Sequence, residues 1–149
     1  MRLRQIALAS RRLDDVERAL HATFGRKTAF NDPHIIHYGL RNAVLPAGRS
    51  FLEIVEPVRA DASAGRFLDR CGGDAGYMVI LQTDDLARDT ARAEALGARV
   101  VDRLAMGDYA ATHFHPADFG GVLVSFDQQM SGADYLEDFG DWTPAGPDW

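Results

Sequence analysis

Gln5-Ile6-Ala7-Leu8-Ala9-Ser10 followed by Leu13-Asp14-Asp15-Val16, and Met78-Val79-Ile80-Leu81-Gln82-Thr83 followed by Leu86-Ala87-Arg88-Asp89, are one pattern written twice, 73 residues apart. Each is a short apolar run of strand length that leads into a helix. A repeat at fixed offset says more about architecture than the propensity of any single residue. In the first helix Leu13, Val16, Leu20 and Phe24 fall at i, i+3, i+7 and i+11 and make one apolar face, with Asp14, Asp15, Glu17, Arg18 and His21 on the polar side and Gly25 as the stop. The second helix opens on Asp84-Asp85 as N-cap candidates, runs through an alanine-rich stretch to Leu96, and stops at Gly97.

After each helix the sequence predicts three β-prone runs: His34 to Tyr38, Asn42 to Leu45 and Phe51 to Val55 in the first half, and Arg99 to Val101, Tyr109 to Phe114 and Val122 to Phe126 in the second. Gly39, Pro46-Ala47-Gly48, Met106-Gly107-Asp108 and Pro116 to Gly121 break them. The expected fold is therefore α+β: two βαβββ modules related by a pseudo-twofold, their sheets forming a curved mixed trough. One domain spans 1–129, with modules at about 3–58 and 75–129 and a linker at 59–74 that holds a loop and a short helix. An acidic aromatic tail, 130–149, carries Tyr135, Phe139 and Trp142, which are expected to dock on the sheets or on a partner.

The composition narrows the function. A length of 149 residues with 46% apolar content supports one core, and a net charge of −6 with no basic cluster beyond Arg11-Arg12 argues against nucleic acid. The four-residue run Ile6 to Ala9 is too short for a secretory leader, and no stretch approaches the roughly 20 apolar residues of a membrane span. A cytoplasmic protein is expected. The single Cys71 forms no internal disulfide, sits in the linker with no neighbouring His, and reads as an inert thiol. No GxSxG, GxxxxGK or GxGxxG pattern occurs, and Asp14-Asp15 and Asp84-Asp85 are explained by helix N-termini. Exposed sheet edges and apolar faces predict a homodimer.

The repeat also predicts which side chains are equivalent: Gln5 with Met78, and Glu53 with Ser125. At period 2, Phe51, Glu53 and Val55 share one face of their strand, and a Gln and a Glu among apolar strand residues are the anomalies that need a chemical reason. Of the histidines, His113 and His115 lie two apart and share a face if both are in the strand, while His34 and His37 lie on opposite faces of theirs. Each is more often packed or solvated than functional.

The opening Gln5 to Val16, the run Phe51-Leu52-Glu53-Ile54-Val55-Glu56-Pro57, and His115-Pro116 followed by Gly120-Gly121-Val122-Leu123 resemble the glyoxalase-like, or vicinal oxygen chelate, superfamily. That superfamily includes glyoxalase, methylmalonyl-CoA epimerase, extradiol dioxygenases and bleomycin resistance proteins. The resemblance covers about residues 3 to 129. It implies four side chains at the symmetric strand positions holding one divalent metal. Gln5 and Glu53 match that pattern, whereas Met78 stands where His is common and Ser125 where Glu is expected. A thioether and a neutral hydroxyl are poor substitutes for imidazole and carboxylate around a hard cation, so no bound metal and no other cofactor are expected.

Three functions remain open. One is a small-molecule-binding protein that keeps the trough without the metal, with Gln5, Glu53, Met78, Ser125, His37 and His113 as ligand-binding candidates. Another is a metal-dependent lyase, isomerase or dioxygenase in which Glu53 is the catalytic carboxylate. The last is a non-catalytic interaction domain of a longer chain. The first is the favoured expectation, with a small organic ligand as the partner.

Overall fold

The computed structural model describes residues 1–25, 30–48, 50–107 and 109–129; Tyr135, Phe139 and Trp142 of the tail lie outside the described residues. The chain divides into two compact units, one of residues 6–77 and one of residues 1–5 with 78–129. Strand β1 (Arg2–Ala9) and strand β4 (Ala75–Gln82) each contribute residues to both. Among the described residues these two and β2 (Leu40–Ala47), β3 (Ser50–Pro57), β5 (Val100–Met106), β6 (Tyr109–Phe114) and β7 (Leu123–Gln129) make a mixed seven-stranded sheet with hydrogen-bonding order β2-β3-β1-β4-β7-β6-β5.

In the unit of residues 6–77, helix α1 (Leu13–Phe24) is followed by β2 (Leu40–Ala47), β3 (Ser50–Pro57) and helix α2 (Ser63–Cys71). β2 and β3 form an antiparallel hairpin whose register runs from Leu40 opposite Pro57 to Ala47 opposite Ser50. Alternation sorts the hairpin into two faces. Ala43, Leu45 and Ile54 pack with Leu13, Val16 and Leu20 of α1. On the other face Leu40 and Val55 pack with Ala62, Ala64 and Leu68 around α2, bordered by Phe67 and Tyr77. Phe24 departs from the expected apolar face: it is the last residue of α1, 55% exposed, beside the Gly25 cap where the helix ends.

The run His34 to Tyr38 is not the expected strand. Residues Pro33–Tyr38 form a 3-10 turn. Asp32 accepts a hydrogen bond from the His34 amide, Pro33 fixes φ at the first position, and Gly39 closes the turn at φ 70 with its N–H on Ile35 and Ile36 carbonyls. Capping at both ends outweighs the β propensity of Ile35, Ile36 and Tyr38. The place of the missing strand is marked by an isolated bridge between Phe30 and Val44.

In the second unit, α3 (Leu86–Ala95) is followed by β5 (Val100–Met106), β6 (Tyr109–Phe114) and β7 (Leu123–Gln129), so the expected order holds there throughout. β4 pairs with β7 in parallel, and β7, β6 and β5 continue antiparallel. Asp85 caps α3 by accepting from the Arg88 amide at 2.9 Å. Leu81, Leu86, Ala93, Val100, Phe114, Val124 and Phe126 form the core under α3, with Phe114 edge-on to Phe126 at 4.7 Å.

Candidate functional site

β3 carries Glu53 into a buried position, 6% exposed, because its register partner is Val44 and its same-face neighbours are Phe51 and Val55. A carboxylate in that setting needs donors. Asn42, on the same face two residues before Val44, provides one: its Nδ2 donates to Glu53 Oε1 at 2.6 Å. Asn42 is itself buried and held from both sides, its Oδ1 accepting from the Asp32 amide at 2.8 Å and its carbonyl accepting from Asn31 Nδ2 at 2.6 Å. The amide thus ties Glu53 to the base of the 3-10 turn. Burial raises the Tyr77 phenol above its ordinary value; Arg66 opposes this, Glu53 adds to it and Arg70 opposes it. His37, on the turn, is exposed, with its ring edge-on to Tyr38 at 5.2 Å and its carbonyl accepting from Arg59.

The second unit holds the other candidates. Ser125 in β7 is fully buried and lies directly opposite His113 in β6 and Ile80 in β4. Met78, opposite Leu123, falls on the same face and is partly buried. Gln5 is buried at 5% in β1. The structure therefore makes Ser125 and His113 immediate neighbours and places Met78 on their face, while Glu53 and His37 belong to the unit of residues 6–77.

Residues that the sequence did not single out turn out to matter on the β7 face. Asp127, two residues beyond Ser125 and fully buried, accepts from the Ser125 hydroxyl and, at 2.7 Å, from the Tyr109 hydroxyl. Burial pushes its carboxyl up to about 6, against the Ser125 and Tyr109 hydrogen bonds and the charge of the fully buried Arg4, all of which pull it down. His113 is pushed below its ordinary value by burial, opposed by Asp102, whose carboxylate lies 3.7 Å from Nδ1. The signal for Asp127 was present: period 2 from Ser125 puts a second polar residue on a buried face.

In the second unit Met78 and Ser125 offer a hard divalent ion only a thioether and a neutral hydroxyl. Ser125 spends its hydroxyl proton on Asp127, Glu53 is engaged by Asn42, and Met78 offers only a thioether. Among the described residues no group of three His, Cys, Asp or Glu is arranged to hold a metal. No described helix is long and apolar enough to cross a membrane.

The fold is that of the vicinal oxygen chelate, or glyoxalase-like, class: an open mixed seven-stranded sheet with few helices. Within that class its structural neighbours are methylmalonyl-CoA epimerases and related proteins. A Streptomyces coelicolor methylmalonyl-CoA epimerase variant in complex with 2-nitronate-propionyl-CoA is similar at a TM-score of 0.78 and 26% identity, over 90% of this chain and 98% of that one. A methylmalonyl-CoA epimerase in complex with methylmalonyl-CoA and ammonium is similar at 0.75 and 28% identity, over 87% and 95%. The Mycobacterium tuberculosis epimerase, at 22% identity and a TM-score of 0.75 over 87% and 88%, shares the fold. No family model and no curated protein matches the chain.

Proposed function

We propose that this chain binds a small acyl ligand of the CoA-ester class by hydrogen bonding and apolar contact, without a divalent metal. The observation that carries this reading is the substitution of chemistry at the expected ligand positions: a thioether at Met78, and at Ser125 a hydroxyl already committed to Asp127. A thioester carbonyl then has to be held by protein donors and acceptors rather than by a Lewis acid. The similarity to epimerases solved with CoA esters supports the ligand class. Glu53 and Asn42 are the polar pair in the unit of residues 6–77 suited to orient such a ligand, and His113, with Met78 on its face, is the candidate in the other.

The test is calorimetric titration with methylmalonyl-CoA, in buffer and after exhaustive EDTA treatment, alongside elemental analysis. Saturable binding that survives EDTA, with divalent metal well below one per chain, is the expected result. Glu53→Gln should weaken binding about tenfold or more, since hydrogen bonds to a charged group contribute about 1.5–3 kcal/mol. The metal content of both proteins should stay near zero. A stoichiometric divalent ion in the wild type that the Glu53→Gln protein loses would reverse the reading and make the chain a metal-dependent isomerase.

A further inference from the structure

The antiparallel strand pairs that close the two halves of the repeat match in register. In one, Leu40, Asn42 and Val44 of β2 lie opposite Pro57, Val55 and Glu53 of β3; in the other, Tyr109, Ala111 and His113 of β6 lie opposite Gln129, Asp127 and Ser125 of β7. The first pair is covered on this face. α2 starts six residues after β3 ends and packs Ala64 and Leu68, with Phe67 at the border, onto Leu40 and Val55. On the second pair the corresponding positions are Tyr109 and Asp127. Here α3 packs with Phe114, Val124 and Phe126 of the opposite face, yet Ala111 and Asp127 are buried. Their cover therefore comes from elsewhere in the chain.

We propose that residues 135–143 of the same chain cover this face of β6 and β7, as α2 covers its counterpart on β2 and β3. Three observations commit the face to that occupant. The chain leaves β7 at Gln129, opposite Tyr109, which is the end of the face that needs the cover. Tyr135 follows Gln129 by the same six residues that separate Ser63 from Pro57, and Phe139 then stands where α2 has Phe67. At helical spacing Tyr135, Leu136, Phe139 and Trp142 share one side of the segment, and Glu137, Asp138 and Asp141 share the other.

The face suits an apolar cover. The Ser125 and Tyr109 hydroxyls both donate to the Asp127 carboxylate, so its oxygens are engaged within the sheet. Around it lie the half-buried Tyr109, Ala111 and, opposite Ala111 on β5, the half-buried Leu104. Ala111 takes the place that Asn42 has in the other pair and carries no side chain beyond Cβ, which leaves room for aromatic rings. Removing a leucine and three aromatic side chains from water is the driving force. His113 lies four residues along β6 from Tyr109, at the opposite end of the strand. The cover is thus a property of the free protein and stands apart from the acyl-ligand reading.

Trp142 and Trp149 are the two tryptophans of the chain, so indole fluorescence reports on this segment and its end alone. In the full-length Trp149→Phe protein, Trp142 should emit to the blue of its position in urea and be shielded from acrylamide. Leu104→Glu, which sets a carboxylate against the apolar side of the segment, should abolish both the shift and the shielding. Cross-linking tests the contact with the rest of the face intact. With the exposed free thiol Cys71 replaced by serine, Leu104→Cys combined with Phe139→Cys should close a disulfide within one chain under mild oxidation. Arg92→Cys on α3, an exposed position, combined with Phe139→Cys should not. A Trp142 as red and as quenchable in buffer as in urea would overturn the proposal, as would a shielded Trp142 that Leu104→Glu leaves unmoved. A cross-link that joins two chains would make a second copy the occupant and overturn it too, and so would equal cross-linking from positions 104 and 92.

Discussion

Asn42 does two jobs with one side chain. Its Nδ2 neutralises part of the cost of burying Glu53, and its Oδ1 holds the Asp32 amide at the start of the 3-10 turn. Replacing it with alanine removes a donor from the buried Glu53 carboxylate and an acceptor from the half-buried Asp32 amide together. Asn42→Ala should therefore destabilise the protein by about 2–4 kcal/mol, two hydrogen-bonding groups each losing about 1–2 kcal/mol, as measured by urea unfolding. Asn42→Asp should be worse than Asn42→Gln, because it sets a second carboxylate against the first. A loss below 0.5 kcal/mol in Asn42→Ala would mean that Glu53 is satisfied without it. Glu53 was legible in the sequence as a lone carboxylate on a strand of apolar residues. Asn42 was not, because its importance comes from the register that sets it diagonally across from Glu53, and register is a tertiary fact. Asp127 differs: the resemblance marks Ser125, one step short of this next residue on the same face.

At the level of elements, the repeat of strand and helix was readable because it is written in local chemistry. β1 and β4 have eight residues each, α1 and α3 both begin at the leucine anticipated, and Asp85 caps as its position suggested. The exception, Pro33–Tyr38, was also local, but it sat in the flanks rather than in the run itself. Ile35-Ile36 looks like strand until Asp32-Pro33 before it and Gly39 after it are weighed. Gly39 is the sharper determinant. At φ 70 it occupies a region that disfavours a side chain, and a Cβ there would meet Arg59 Nε at 2.7 Å. Gly39→Ala should destabilise by about 1–2 kcal/mol from the backbone alone, and it should displace Arg59 from the His37 carbonyl. Hydrogen exchange ought to show faster opening of residues 33–40, with α3 unaffected. Uniform loss of protection across both units would contradict a local role for the turn.

For the molecule as a whole, β5 ends the strand order and leaves Val101 and Met106 about half exposed, at 50% and 46%. A second copy is the expected cover, so light scattering should report twice the 16.4 kDa of one chain, and a particle of one chain at high concentration would refute it. The whole-molecule property that Asp127 governs is the dependence of stability on pH. Its folded-state value of about 6 lies above the ordinary carboxylate value of 3.8, so the folded state holds a proton that the unfolded chain has released in between. The contribution is fully present at low pH, where both states are protonated. It is lost as pH rises from about 4 through about 6, and it stays flat above that, where both are ionised. A gap of that size corresponds to about 3 kcal/mol, because each pH unit of difference is worth about 1.4 kcal/mol. Asp127→Asn cannot ionise, so it should lack this descending limb. The difference in unfolding free energy between variant and wild type should move by about 2 kcal/mol in favour of the variant between pH 4 and pH 6.5, the larger part of the limb, whatever constant offset the lost charge beside Arg4 imposes. Taking the difference cancels the other titrating groups, which are common to both proteins. Parallel stability curves would mean that Asp127 keeps its ordinary affinity for protons, and that the hydroxyls of Ser125 and Tyr109, with Arg4, fully offset its burial.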